Sequence, residues 1–162
     1  MERLQELWFD AARSGCDDMI PALLHAGIDI EARDVRGHTA LILASYNNRA
    51  STTALLLATG AAVDGAGDDR GNTALMGIAF KGYQAIVPLL IEAGAEVDRR
   101  NSAGQTALMM AALFGQTAIV DMLIAAGADV AAIDTAGNSA RTLASAQGND
   151  AMTDQLDRLA AR

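Results

Sequence analysis

Two histidines, one cysteine and one glycine–aspartate run are the residues of this chain whose types suit catalysis or metal binding. A zinc site pairs ligands two to four residues apart and adds a second such pair. Neither His25 nor His38 has a second His or a Cys at that spacing, so surface histidines are the expected reading. Cys16 with His25 could form a thiolate–imidazole dyad, but no third group orients it, and an inert thiol is the simpler expectation. The run "GAGDDRG" (65–71) resembles a phosphate-binding loop at a glance. A dinucleotide fingerprint needs G-x-G-x-x-G between a strand and a helix. This run has other spacing, and Asp68 and Asp69 would repel a phosphate. Asp64, Asp68 and Asp69 could loosely hold a cation, yet their spacing is not that of an EF-hand loop. The expectation is a non-enzyme with no catalytic residue, cofactor or metal.

The bulk composition points the same way. The chain has 162 residues, 51% of them hydrophobic but only 4% aromatic, and a formal charge of −8. Small aliphatic side chains suit closely stacked helices, and 162 residues can enclose a real core. An acidic surface repels phosphate, which argues against nucleic acid and anionic membranes as partners. A single cysteine excludes an intramolecular disulfide and fits a reducing compartment. The N-terminal "MERLQELWFDAARSG" lacks the apolar core of a signal peptide. No run of about 18 uninterrupted apolar residues exists. A soluble, monomeric, cytoplasmic protein is expected.

The elements that position these residues repeat. "RGHTALILASYNN" (36–48), "RGNTALMGIAFKG" (70–82), "AGQTALMMAALFG" (103–115) and "AGNSARTLASAQG" (136–148) align, with leading glycines Gly37, Gly71, Gly104 and Gly137 spaced 34, 33 and 33 residues. A second series, Gly27, Gly60, Gly94 and Gly127, closes "ALLHAG", "LLLATG", "LLIEAG" and "MLIAAG" with the same period. Such a period marks a stacked repeat protein. Thr39, Thr73, Thr106 and Ser139 precede apolar stretches and can cap a first helix with their hydroxyls. That helix stops near Asn48, Gly82, Gly115 or Gly148, residues that tolerate the left-handed conformation of a helix end. A second helix follows, with apolar pairs such as Ile86/Val87 and Ile119/Val120. Neither short helix buries its apolar face alone, so each must stack on neighbours.

The pattern D-x-x-G-x-T-A-L…A…G…I-V…L-L…G-A resembles the ankyrin repeat, with turn aspartates at Asp34, Asp68 and Asp134 and Asn101 standing in once. The resemblance implies an all-α solenoid of stacked helix–turn–helix units linked by β-hairpin-like turns, as one domain spanning 1–162. Residues 1–33 read as an N-terminal cap, 34–66, 67–100 and 101–133 as full repeats, and 134–162 as a C-terminal cap whose Met152, Leu156 and Leu159 face inward. Trp8 and the methionines Met76, Met109 and Met110 read as core. Ala at 40, 74, 107 and 140 replaces the usual Pro, a mild loss. Pro21 and Pro88 near the start of second helices should kink rather than break them. Thr52 and Thr53 replace Ile-Val and predict a weaker local core. One extra residue falls between Gly60 and Gly71.

The resemblance also implies a function: binding a protein partner through a concave face formed by hairpin tips and first helices. Carried over position by position, the hairpin set is Arg33, Val35, Arg36 and His38; Gly67, Asp69, Arg70 and Asn72; Arg100, Ser102, Ala103 and Gln105; and Ile133, Thr135, Ala136 and Asn138. The helix-end set is Tyr46/Asn47, Phe80/Lys81 and Leu113/Phe114. Of these, Arg33, Arg36, His38, Tyr46, Arg70, Asn72, Phe80, Lys81, Arg100, Gln105, Leu113 and Phe114 form the candidate site. Register sets Tyr46, Phe80 and Leu113 in a row, with Phe114 and Tyr83 close by and Arg33, Arg36, Arg70 and Arg100 along the rim. An apolar row rimmed by arginine suits a segment carrying acidic and hydrophobic residues. The alternative is that the rings fold back and complete the core. A second functional reading is an accessory to an enzyme, as inhibitor, chaperone or assembly factor. The Ala-rich style resembles small bacterial members of the family, some of which accompany oxidative-stress enzymes. A third reading is a small-molecule or cation sensor built on the 64–71 hairpin.

Overall fold

The computed structural model describes residues 1–162 and is helical outside its turns, with no strand. Ten helices follow in pairs: α1 (Glu2–Ser14) with α2 (Met19–His25), α3 (Ala40–Tyr46) with α4 (Ala50–Ala58), α5 (Ala74–Lys81) with α6 (Val87–Glu92), α7 (Ala107–Leu113) with α8 (Thr117–Ala125), and α9 (Ala140–Ala146) with α10 (Asp150–Ala160). First members stack in a row, α1 on α3, α3 on α5, α5 on α7 and α7 on α9, and each second member packs on its own partner. The fold is a helical solenoid of two layers.

Each first helix starts where a hydroxyl stands. Thr39, Thr73 and Thr106 accept hydrogen bonds from the backbone N–H of Ile42, Met76 and Met109, each at 3.3 Å. Ser139 goes further: it accepts from the Thr142 N–H while Thr142 Oγ1 accepts from the Ser139 N–H, a reciprocal capping box. The helices stop where the chain turns left-handed. Gly82 does so at φ 83°, and Asn48 fills the equivalent place at φ 58°, the one non-glycine residue with positive φ. Both prolines lie in the first turn of a second helix, Pro21 in α2 and Pro88 in α6, where no N–H is needed, and both helices continue past them.

The core is one cluster threaded through all five pairs. Trp8, Leu41, Leu75 and Leu108 occupy one slot in successive first helices, and Leu23, Leu56, Leu90, Leu123 and Leu156 one slot in the second helices; all are buried. Small residues such as Ala11, Ala44, Ala111 and Ala144 let the first helices approach closely. In the last unit the slot of Leu108 becomes Arg141, exposed and paired with Asp157 at 2.7 Å. A charge thus stands where the earlier units have a buried apolar side chain. Thr52 and Thr53 are buried, and their hydroxyls have partners: Thr53 donates to the Arg49 carbonyl at 2.8 Å and Thr52 to Asp17 of the neighbouring unit. Ser51 donates to the same carboxylate, so α4 is tied to the first unit by polar bonds where α6 and α8 use Ile and Val.

Candidate functional site

The hairpins between units share one polar design. A side-chain oxygen of Asp34 accepts from the backbone N–H of Arg36 and His38, both at 2.9 Å, and Asp68 does the same for Arg70 and Asn72 at 2.8 Å. Asn101 serves Ala103 and Gln105 at 3.0 and 2.9 Å, because an amide oxygen accepts as a carboxylate does. Asp134 completes the series with Ala136 and Asn138. Burial opposes ionisation of Asp34, yet the backbone bonds from His38 and Arg36 and the imidazole of His38 hold its carboxyl below the usual range. Asp134 is held low chiefly by the Asn138 backbone bond, against a smaller cost of burial. Each hairpin also donates one backbone bond to the one before: Asp69 N–H to Arg36 at 3.4 Å, Ser102 to Arg70 at 2.9 Å, Thr135 to Ala103 at 3.0 Å.

His38, read as a surface histidine and included in the candidate site, is part of this scaffold. Its Nδ1 lies 3.2 Å from Asp34, and its Nε2 lies 3.9 Å from Asp68 on the next hairpin. His25 and Cys16 are both exposed. Asp64, Asp68 and Asp69 serve separate partners: Asp64 accepts from the Glu96 N–H at 2.9 Å, Asp68 holds its own hairpin, and Asp69 lies over Gly37. The longer loop is clasped from both sides, by Glu31 at the Ala62 N–H, Arg33 at the Gly67 carbonyl and Arg99 at the Gly65 carbonyl.

Hairpin tips and first helices enclose an open groove of about 1010 Å³. Six of the twelve expected residues line it: Arg36, His38, Tyr46, Arg70, Asn72 and Phe80. Along one edge three rings touch. Tyr46 and Phe80 lie parallel, centroids 6.4 Å apart and planes 4° apart, and Phe80 meets Phe114 edge-on at 4.5 Å and 81°. Their exposures are 41%, 39% and 47%, so none folds back into the core. Lys81 Nζ stands 4.9 Å over the Tyr46 ring.

Several residues behave otherwise than register suggests. The ring against Phe80 is that of Phe114, the residue capping α7, while Leu113 is half-buried in the helix's last turn. Tyr83 packs on the core. Arg33 and Arg100 are latches: Arg33 donates to the Gly67 carbonyl at 2.8 Å and Arg100 to the Ile133 carbonyl at 2.6 Å, each on the following unit. Gln105 is likewise occupied with Asn101 at 3.1 Å. Arg36 and Arg70 stay exposed without a side-chain partner. The groove also contains residues that spacing alone did not single out. Arg13 of α1 reaches Asp34 at 3.3 Å, and Gly77 stands in mid-helix where α3 has Leu43 and α7 has Met110. A Cβ at Gly77 would come within 3.2 Å of Tyr46 Cδ2, so the missing side chain makes room for the ring. A glycine inside a helix was the available signal.

Comparison with known proteins agrees with the geometry. A family model described as "Ankyrin repeats (3 copies)" matches residues 8–101, and one described as "Ankyrin repeats (many copies)" matches residues 90–144. A stretch of 61 residues, 38% of this chain, is 44% identical to the ankyrin repeat domain-containing protein SAT10 of Stachybotrys chartarum. That stretch spans 3% of the relative's length. The relative is fungal and lends no support to a bacterial source. No helix of the chain is long and apolar enough to cross a membrane. Through the matched models and the repeated units they cover, the chain belongs to the ankyrin repeat family, whose repeats are protein–protein interaction modules.

Proposed function

We propose that the chain binds a protein partner through its concave groove, acting as a monomer in the cytoplasm. Repeats 34–66, 67–100 and 101–133 carry the recognition surface between caps 1–33 and 134–162. The observation that carries this reading is the contiguous exposed set Tyr46–Phe80–Phe114, of which Tyr46 and Phe80 line the groove, in a chain that is only 4% aromatic. Exposed, mutually supported aromatics beside open concave space are the usual energetic centre of an interface.

The test is capture from lysate of the source organism, comparing the wild-type chain with a Tyr46→Ala/Phe80→Ala/Phe114→Ala variant whose circular dichroism is unchanged. A protein held by the first and lost by the second supports the reading. Identical capture by both removes the groove from consideration. The activity of the captured protein, with and without the chain, then separates a scaffold from an inhibitor, chaperone or assembly factor.

A further inference from the structure

We infer that the groove's occupant is an acidic amphipathic helix with two carboxylates seven residues apart, an inference that rests on the groove reading above. Arg36 and Arg70 hold equivalent places on adjacent hairpins, each two residues after the turn aspartate that fixes its backbone N–H. Their carbonyls accept the bonds that join each hairpin to the next. The two guanidinium groups are therefore displayed alike, one unit apart, from anchored backbone. Both line the groove, and neither has a side-chain partner, whereas Arg13, Arg33 and Arg100 are all engaged. Asp34, Asp68 and Asp69 line the groove as well, but Asp34 is paired with Arg13 and Asp68 is bonded within its own hairpin, so these two unpaired guanidinium groups are what an anionic side chain would meet. The next hairpins carry Ala103 and Ala136 at this place, so the cationic edge has two sites.

The opposite edge has the same period, because Tyr46 follows Arg36 by ten residues and Phe80 follows Arg70 by ten. The occupant must therefore show two carboxylates along one side and apolar side chains along the other. Packed helices stand about 8–10 Å apart. In an α-helix, residues i and i+7 are about 10.5 Å apart on one face, and the helix is about 10–12 Å wide. An extended segment of that reach places i and i+3 on opposite faces. Asp69, seated over Gly37 between the two arginine-bearing turns, opposes a carboxylate placed midway. Spacing of about one unit is thus favoured and closer spacing penalised.

The experiment uses the full chain and two fluorescein-labelled model helices with the same leucine stripe. Their glutamates are seven residues apart in one and four apart in the other, and binding is read by anisotropy. The inference expects the seven-spaced helix to bind about fivefold more tightly, and Arg36→Gln or Arg70→Gln each to remove that preference. Both affinities should fall as salt rises. Equal affinities for the two helices, or no binding of either, overturn it. If the arginine variants change nothing while the triple aromatic variant abolishes binding, the acidic pairing falls and the groove reading stands. If neither set of variants alters binding, both fall. Sedimentation of the chain alone gives the last outcome. Asp150 and Asp157 of α10 share the seven-residue spacing, so a dimer lost in Arg36→Gln/Arg70→Gln would assign the groove to a second copy and overturn the partner helix.

Discussion

Gly77 and Tyr46 set stability against exposure at a single contact. Glycine inside a helix costs roughly 0.5–1 kcal/mol relative to alanine. A Cβ at Gly77 would stand 3.2 Å from Tyr46 Cδ2, a distance that only a small shift of the ring relieves. The ring is 41% exposed and can give, so Gly77→Ala should raise stability by about 0.5 kcal/mol. The same change displaces Tyr46 from its parallel contact with Phe80 and should weaken partner capture. Thermal denaturation and capture on the same variant check this; a loss of stability, or capture equal to wild type, would sink it. Lys81 over the Tyr46 ring is a separate case, since the pair is exposed and its contribution small. Lys81→Met should leave the melting temperature within about 2 °C of wild type, consistent with surface effects of under about 0.5 kcal/mol. A larger shift would make Lys81 part of the fold rather than of the groove.

At the scale of elements, α4 is the helix whose packing departs most from its neighbours. Thr53 donates to the Arg49 carbonyl, but that carbonyl already accepts the Thr53 N–H at 2.8 Å, so removing the hydroxyl orphans nothing. Thr53→Val, which restores the residue type of Val87 and Val120, should stabilise by about 1 kcal/mol. Thr52→Val strips Asp17 of a donor and should cost about 0.5 kcal/mol at neutral pH, discounted because Asp17 can turn to water. Chemical denaturation of the two variants should give opposite signs; like signs would show that the hydroxyls do not tie α4 to the first unit. Thr52 and Thr53 also show what the sequence carried. Their slot followed from the period, as did the capping hydroxyls, the left-handed glycines and the core leucines, because these depend on residues within one turn. The bond from Thr52 to Asp17 was not legible, since it spans one whole unit. The same holds for the latches of Arg33 and Arg100 and for the ring that meets Phe80. Register gave Leu113, and only the path of the chain leaving α7 brings Phe114 there. Period places backbone, but long side chains choose partners in the next unit.

Across the whole molecule, the carboxylates held below their usual range lie at the two ends. Asp17 is held low by Ser51 first and then Thr52, Asp34 by the hairpin bonds that outweigh its burial, Asp134 by Asn138, and Asp157 by Arg141. The third hairpin uses Asn101, which does not titrate. A carboxylate whose folded value is depressed adds stability above its unfolded value, about 3.9 for Asp, and that stability is lost as pH falls through the folded value. In a solenoid each unit is held only by its neighbours, so loss at the ends need not be shared at once by the middle. The depressed carboxylates stay ionised between pH 7 and about 5, so the melting temperature should change little over that range. Below about pH 4 the ends should loosen first. Trp8, the single tryptophan, is buried in α1, where Arg13 reaches Asp34. Its fluorescence reports the first unit, while far-UV circular dichroism reports all ten helices. Acid titration should give a Trp8 transition at higher pH than the loss of helix, and Asp34→Asn should narrow the gap between the two, because an amide keeps the hairpin bonds as Asn101 does without titrating while Asp17 still titrates. Coincident transitions in the wild-type chain would mean that the array unfolds as one cooperative unit, its ends no weaker in acid than its middle.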